Sequence, residues 1–249
     1  MAYPGVEVFN DGAGVAREGA ARFVKLAKEA VAARGSFHVA LSGGKTPAVL
    51  FRRLAEEDMR SAVDWTHVHL YWSDERTVPP ADPDSNYGMA ERELIARINI
   101  PAHNVHRMEA ERPDLEKAAE EYEAILRKHI PAGPGGFPCF DLIYLGMGPD
   151  GHTASLFPGS SGLAETKRAV IAHHVVPPNF PPCQRMTFTF PLLNAARVVI
   201  FLITGADKTE KLREVLKGTH TPPYPSQLVR PVQGERIMLL DRAAAADLV

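Results

Sequence analysis

The sequence contains one Asp-Gly-His step in a setting suited to acid–base chemistry. The segment Gly146-Met-Gly-Pro-Asp-Gly-His152 follows an apolar stretch predicted to be a buried strand. A carboxylate beside an imidazole can hold that ring in one tautomer, and the second ring nitrogen is then free to act as a general base. We therefore predict that Asp150 orients His152 and that His152 is catalytic.

The same segment matches the GxGxxG pattern of dinucleotide sites at Gly146, Gly148 and Gly151. A dinucleotide site continues into a full helix and then a second strand that ends in an acidic residue. Here Pro158 ends any helix after little more than one turn. The dinucleotide interpretation is therefore weak.

A second glycine-rich segment, Leu41-Ser-Gly-Gly-Lys-Thr-Pro47, lies between a predicted strand and a predicted helix. Two glycines bring backbone N–H groups close to a ligand, and the positive end of the following helix favours a phosphate. A P-loop is excluded, because the position five residues before Gly44 holds Val39 instead of glycine. A plain strand–helix turn without a ligand remains the alternative.

Charged residues also follow two other predicted strands. Asp74-Glu-Arg76 comes at the end of one strand, where it forms either an intraloop ion pair or an anion site with an orienting carboxylate. Arg185 begins another predicted strand, and Lys208 lies in the first turn of a helix, where its charge opposes the helix dipole. An anionic ligand would remove that conflict, whereas a solvated surface lysine is the ordinary alternative.

The remaining candidate residues, for a metal site or a serine nucleophile, give weaker signals. His67, His69, His103, His106, His173 and His174 occur in pairs, but no Cys, Asp or Glu completes a zinc pattern. We expect no metal. No GxSxG nucleophile elbow is present either.

Composition sets the class of protein. The chain has 249 residues, 45% hydrophobic and 23% charged, with 28 Lys+Arg against 30 Asp+Glu. These values are typical of a globular protein and give no basic excess for binding nucleic acid. Two distant cysteines, no secretory signal and no apolar run long enough to cross a bilayer lead us to expect a cytoplasmic protein without membrane contact.

Strand and helix patterns alternate along the chain and would position these segments. We predict helices over 13–34, 47–54, 86–97, 113–129, 206–217 and 242–249, and strands over 37–41, 68–72, 141–146, 168–176, 186–190, 197–204 and 236–240. This order predicts a single α/β domain over 1–249, with a Rossmann-like, mostly parallel sheet covered by helices on both faces. Ligands of such sheets bind at the carboxyl ends of the strands.

Taken together, the motifs resemble a known family. Ser-Gly-Gly-Lys-Thr-Pro, Asp-Glu-Arg-x-Val-Pro with Ser-Asn, Gly-x-Gly-x-Asp-Gly-His-Thr-Ala-Ser-Leu-Phe-Pro and Gly-x-x-Lys occur here in the order found in 6-phosphogluconolactonases. The chain is identified as a member of the glucosamine-6-phosphate isomerase/6-phosphogluconolactonase family, with the resemblance running from about Val8 to Asp247. It implies the fold shared with glucosamine-6-phosphate deaminases and ribose-5-phosphate isomerases.

The resemblance implies hydrolysis of a sugar-phosphate lactone, with no cofactor and no covalent intermediate. His152 would activate water, Asp150 would orient His152, and Arg76, with Asp74 nearby, would sit by the lactone and stabilise the oxyanion. The phosphate pocket would consist of Ser42, Gly43, Gly44, Arg185 and Lys208. A small-molecule lactone is the expected partner, and the chain is expected to be a monomer or a small homo-oligomer.

Two alternatives stay open. A glucosamine-6-phosphate deaminase has a related Asp-Gly-His motif with a glutamate five residues after the histidine, but that position is Phe157 here. A non-catalytic sugar-phosphate sensor would keep the phosphate residues and could dispense with His152 and Asp150. Such a sensor normally carries a DNA-binding module, and none is visible.

Overall fold

The computed structural model describes residues 3–177 and 181–248. Its strands are β1 (Val6–Phe9), β2 (Phe37–Leu41), β3 (Val68–Trp72), β4 (Asp74–Arg76), β5 (Leu142–Leu145), β6 (Val170–Val175), β7 (Cys183–Phe188), β8 (Val198–Ile203) and β9 (Glu235–Asp241). Its α-helices are α1 (Gly12–Arg34), α2 (Lys45–Leu54), α3 (Glu57–Arg60), α4 (Asn86–Glu93), α5 (Leu115–His129), α6 (Phe190–Asn194), α7 (Thr209–Lys217) and α8 (Pro225–Leu228).

Six strands form one parallel sheet in the order β1-β9-β8-β5-β2-β3. On one face, Phe23 of α1 packs edge-on against Phe37 of β2, with 5.2 Å between ring centroids. On the opposite face, Tyr71 packs against Phe140, which in turn packs against Phe188. The predicted mostly parallel α/β sheet is confirmed, and both of its faces are covered as buried parallel strands require.

A second, antiparallel sheet in the order β4-β7-β6 was not predicted. The sequence patterns predict neither its short strand β4 nor strand β1 of the parallel sheet. Arg185 does not begin its strand, because β7 starts at Cys183 to pair with β6, where Arg185 lies opposite His173. Pairing between strands, which no local pattern encodes, sets these boundaries.

Several predicted helices have different bounds. α5 starts at Leu115 instead of 113, and α7 starts at Thr209 after a 3₁₀ turn over Ala206–Lys208, so Lys208 lies just before the helix instead of in its first turn. α2 begins at Lys45, and Pro47 lies within its first turn, where a missing N–H costs nothing. The helix from Asn86 ends at Glu93, and a separate 3₁₀ turn covers Ile95–Arg97. Residues 242–248 form turns instead of the predicted C-terminal helix, whose last residue lies outside the described ranges. So short a segment cannot sustain a helix without strong tertiary support.

The parallel sheet places the predicted site segments at one edge. Ser42 and Gly146 directly follow the carboxyl ends of β2 and β5, and Asp74 and Gly205 come two residues after the ends of β3 and β8. The small sheet follows directly from β3, since the N–H of Ser73 still bonds to Leu41 while the N–H of Phe188 bonds to Ser73. None of the helices in residues 3–177 and 181–248 has the length and hydropathy needed to span a bilayer.

Four neighbouring imidazoles form a histidine cluster at β2 and β3, away from those strand ends, and consist of His38, His69, His106 and His129. Centroid separations are 4.8 Å for His38–His69, 5.5 Å for His69–His106 and 4.9 Å for His106–His129. Within the described ranges, no three His, Cys, Asp or Glu side chains are arranged to hold a metal ion. Tyr71 also contacts the cluster, with its hydroxyl 3.2 Å from Nδ1 of His38.

The histidine cluster should make folding sensitive to acid. Burial, and then the neighbouring histidines and Arg34, lowers the pKa of His38 to about 3, and the pKa of His106 falls to about 4. An unfolded histidine titrates near pH 6.5, so the native state binds fewer protons below that pH and stability falls as the pH drops from about 6.5 towards 4. We expect His38→Gln to flatten this slope by up to about 1.4 kcal/mol per pH unit.

Urea unfolding measured across this pH range checks the prediction. His174→Gln, at an exposed histidine outside the cluster, serves as the control and should keep the wild-type slope. If His38→Gln and the wild type lose stability in parallel, the buried histidine does not cause the acid sensitivity.

Candidate active site

The predicted site residues converge on one cleft of about 530 Å³ between the carboxyl edge of the parallel sheet and the antiparallel sheet. Eight of them line it: Ser42, Gly43, Gly44, Asp74, Arg76, His152, Arg185 and Lys208. The ninth, Asp150, contacts His152. Segments spread over more than 160 residues of sequence therefore form a single concave site.

Asp150 and His152 form a direct pair. Oδ1 of Asp150 lies 2.5 Å from Nδ1 of His152, and it also accepts the backbone N–H of His152 at 3.2 Å. Burial by itself would raise the pKa of Asp150, but the hydrogen bond and the charge interaction with His152 outweigh it and hold that pKa below its ordinary value. An ionised Asp150 fixes the Nδ1–H tautomer, and Nε2 makes no hydrogen bond to the described part of the chain. That nitrogen is available as a base.

Two glycines give the Asp-Gly-His turn its shape. Gly151 has φ +82°, a conformation that side chains disfavour, and the ring of Tyr224 packs against it. Gly148 accepts the Gly151 N–H on its carbonyl at 3.0 Å and donates its own N–H to the carbonyl of His152 at 2.9 Å. A Cβ at position 148 would lie 2.1 Å from the His152 ring and 2.7 Å from Oδ1 of Asp150.

Gly148→Ala should consequently impair turnover by displacing the imidazole. Displacing a catalytic group by an ångström costs up to about 10²-fold in rate, and the added methyl would overlap the imidazole in its present position. Gly159→Ala is a nearby control, because a Cβ there meets nothing within 4 Å, although its φ of +75° adds some strain. Steady-state kcat of the two variants distinguishes them, and equal activity would show that the ring tolerates the shift.

Phe157 also contacts the catalytic pair. Its ring lies 4.2 Å from that of His152, centroid to centroid, with an interplanar angle of 30°. At the position where the related deaminase motif has a glutamate, this chain therefore has an apolar side chain that covers one side of the imidazole. No carboxylate is available there for proton transfer.

Glu75, for which the sequence predicted no specific role, holds the start of helix α4. Its buried carboxylate accepts the backbone N–H groups of Asn86 and Tyr87, each at 2.8 Å, and the Ser85 hydroxyl at 3.2 Å. The backbone N–H of Arg76 is a further donor, at 2.8 Å. Burial raises the pKa of Glu75 despite these bonds. A carboxylate at the start of α4 stabilises the helix end. In the sequence, the Ser85-Asn86 pair that begins ten residues after Glu75 is the feature that could have indicated this contact.

The intraloop ion pair considered for Asp74-Glu-Arg76 does not form, since the described residues contain no salt bridge among these three. Arg76 instead donates from Nη1 to the carbonyl of Asp84. Directly opposite, across the β4–β7 pair, lies Arg185, which donates from Nη1 to the carbonyl of Gln184 at 3.1 Å. Like charges facing each other across a ladder are destabilising, and neither arginine contacts a described carboxylate. The arrangement favours an anionic ligand.

Two further elements add positive potential. Helix α2 starts at Lys45 after Gly44, whose φ is +112°, and no side chain caps its first turn. Its N-terminus therefore suits an anion. Lys208 lies before α7, 18% exposed at the side chain, with Nζ 2.9 Å from the exposed carboxylate of Asp207. The cleft thus combines three cations and an uncapped helix end with the Asp150–His152 pair.

Known proteins resemble this chain in sequence and in fold. The family model for glucosamine-6-phosphate isomerases/6-phosphogluconolactonase matches residues 10–238. The chain is 42% identical over 221 residues to a 6-phosphogluconolactonase of Synechocystis sp., covering 88% of each chain. It is similar to the solved 6-phosphogluconolactonase of Trypanosoma brucei, with a TM-score of 0.88, 29% identity and complete coverage of both chains. A monomeric glucosamine-6-phosphate deaminase shares the fold, with a TM-score of 0.80 at 20% identity over 97% of this chain and 98% of the other.

Proposed function

The chain belongs to the glucosamine-6-phosphate isomerase/6-phosphogluconolactonase family, and we infer that it opens 6-phospho-D-glucono-1,5-lactone to 6-phospho-D-gluconate in the second step of the oxidative pentose phosphate pathway. The observation that carries this is the Asp150–His152 pair at a cleft with three cations. Relatives that match most of the chain are 6-phosphogluconolactonases. The deaminase alternative is not favoured, because Phe157 packs on His152 where that enzyme would need a carboxylate.

His152 acts as the general base in the mechanism that we propose. Nε2 removes a proton from water as the water oxygen attacks the lactone carbonyl carbon, and Asp150 stabilises the resulting imidazolium. The tetrahedral intermediate then collapses, the ring C–O bond breaks, and the proton on His152 returns to the departing ring oxygen. Arg76 stabilises the oxyanion, which requires a donor where negative charge develops. The residues need no cofactor for these steps.

The phosphate binds to lining residues of the cleft that take no part in these steps. Ser42, Gly43 and Gly44 precede the N-terminus of α2, and Arg185 and Lys208 supply charge. The dianion relieves the repulsion between the facing arginines and the conflict between Lys208 and its helix dipole.

Removing one phosphate cation should weaken binding before it slows the reaction. A hydrogen bond to a charged group contributes about 1.5–3 kcal/mol, so we expect Lys208→Ala to raise KM by about 10- to 150-fold with a smaller change in kcat. Lys217→Ala, on the last turn of α7 and outside the cleft, is the matched control. Titration with 6-phosphogluconate measures the affinity directly, and unchanged affinity would place the phosphate elsewhere.

The function is tested by proton release from freshly generated 6-phosphogluconolactone, corrected for spontaneous opening, with a parallel assay for ammonia from glucosamine 6-phosphate. Lactone hydrolysis well above the buffer rate without ammonia supports the assignment. No acceleration would overturn it, and ammonia release would identify a deaminase.

The cellular compartment, the domain organisation and the oligomeric state are also proposals. Cys139 and Cys183 are both free thiols, which suits a reducing cytoplasm. We propose that residues 1–249 act as one domain, because the cleft combines residues from both sheets, and that the protein works as a monomer or small homo-oligomer on a small molecule, without nucleic acid or membrane. Light scattering of the purified chain measures the oligomeric state.

A further inference from the structure

Asp74 is a buried carboxylate without a described cation beside it. It is the first residue of β4, is 8% exposed and lines the cleft. Within the described ranges no Lys, Arg or His lies within salt-bridge distance of it. Burying a charge is costly unless hydrogen bonds or opposite charges satisfy it. The hydrogen-bond donors around Asp74 therefore determine which further hydrogen bonds its carboxylate can accept.

The two carboxylate oxygens have different partners. Oδ2 accepts a strong hydrogen bond from the Ser155 hydroxyl at 2.7 Å. Among the described residues, the partners of Oδ1 are Nδ2 of Asn86 at 3.4 Å and the Ser73 hydroxyl at 3.5 Å, both at the long limit of hydrogen bonding. An ionised carboxylate oxygen accepts about two hydrogen bonds. Oδ1 thus retains the capacity for a short bond from a donor in the cleft.

Ser155 and Asn86 prevent the carboxylate from turning away. The Ser155 backbone donates its N–H to Oγ1 of Thr187 at 3.1 Å, and its carbonyl lies 2.8 Å from Nε2 of His173. Nδ2 of Asn86 also donates to the backbone carbonyl of Asp74 at 2.8 Å. Since the loop after β5, strand β7 and helix α4 all contribute, the position of the Asp74 carboxylate is fixed from three sides.

The charge pattern selects the kind of group that Asp74 faces. Arg76, Arg185 and Lys208 attract the anionic parts of a ligand, whereas a carboxylate repels a phosphate or an oxyanion. A hydroxyl donates a hydrogen bond and suits Oδ1. We propose that Asp74, held by Ser155 and Asn86, accepts a hydrogen bond from a ring hydroxyl of the lactone and thereby selects polyhydroxylated substrates. Asp74 then takes no part in proton transfer. This inference rests on the proposed lactonase function.

A site built to bond a hydroxyl discriminates against an analogue that lacks it, because its own polar group is left unpaired. For a charged acceptor we expect the loss to be about 10- to 150-fold in kcat/KM. The loss should appear for one of the 2-, 3- and 4-deoxy analogues of 6-phosphogluconolactone, namely the one lacking the hydroxyl that contacts Asp74. The other two analogues should lose less.

The experiment measures kcat/KM for the lactone and the three deoxy analogues in the wild type and in two variants. Asp74→Ala should abolish the discrimination. Ser155→Ala keeps the carboxylate but frees Oδ2, so it should reduce the discrimination several-fold while hydrolysis of the selected deoxy analogue changes little. Ser155→Thr, which retains the hydroxyl, should restore the wild-type ratio. Ser61→Ala, at an exposed serine that does not line the cleft, is the matched control.

The outcomes separate the two proposals. A wild type that hydrolyses the lactone but does not discriminate against any deoxy analogue overturns the role of Asp74. If Ser155→Ala loses the same activity on every substrate, Ser155 has a purely structural role and the role of Asp74 is again overturned. This variant also decides the question if Asp74→Ala does not fold. No hydrolysis of any lactone by the folded wild type would instead overturn the proposed function itself.

Discussion

Replacing His152 with alanine lowers kcat for lactone hydrolysis by about 10²- to 10⁴-fold, the usual contribution of a general base. The imidazole is the only group of the Asp150–His152 pair that lines the cleft, and Nε2 is its free nitrogen. Affinity for 6-phosphogluconate should remain nearly unchanged, because the phosphate binds to other residues. Proton-release kinetics and a binding titration on the same preparation measure both quantities.

His67→Ala provides the control, because that imidazole does not line the cleft and is half exposed. If His152→Ala loses affinity and turnover together, the imidazole binds substrate instead of activating water. Turnover close to that of the wild type would remove the general base from the mechanism altogether.

Asp150→Asn should be nearly as damaging although it changes almost no volume. The carboxylate accepts from Nδ1 at 2.5 Å, whereas an amide can present its NH₂ group and favour the opposite tautomer, with the proton on Nε2. In serine proteases the same change to an Asp–His pair costs about 10⁴-fold in kcat, and we expect a loss of about 10³- to 10⁴-fold here. Steady-state kinetics with thermal unfolding as a check on folding tests this.

Asp207→Asn is a suitable comparison, because that carboxylate is exposed and contacts Lys208 instead of the base. It should change KM modestly and leave kcat close to wild type. Equal kcat for Asp150→Asn and the wild type would show that another contact holds the imidazole in its active tautomer.

Much of the site could be predicted because the parallel sheet brings its strand ends to one edge. Ser42, Gly146 and Lys208 each follow a recognisable apolar strand, and this topology makes their neighbourhood a general consequence of the fold. The Asp150–His152 pair is two residues apart, so its contact is local. In the structure Ser42, Gly146, His152 and Lys208 line one cleft together with Arg76 and Arg185.

The antiparallel sheet could not be predicted in the same way. Strand β4 has three residues, too few for a periodic pattern, and its partner β7 lies about 110 residues further along the chain. The facing of Arg76 and Arg185 depends on that pairing alone. Strand register is specified by contacts across the sheet and not by either segment.

The role of Glu75 could not be predicted from the sequence either. Its type and position left an ion pair and a functional carboxylate equally open, and only the folded chain shows that it accepts the N–H groups at the start of α4. The sequence by itself determined the parallel α/β class and the family, and it identified the groups that we propose for the chemistry, because these follow from local periodicity and short motifs. The tertiary structure decided that Arg76 faces Arg185 and that Oδ1 of Asp74 can accept a further short hydrogen bond, because those contacts join segments that are distant in the chain.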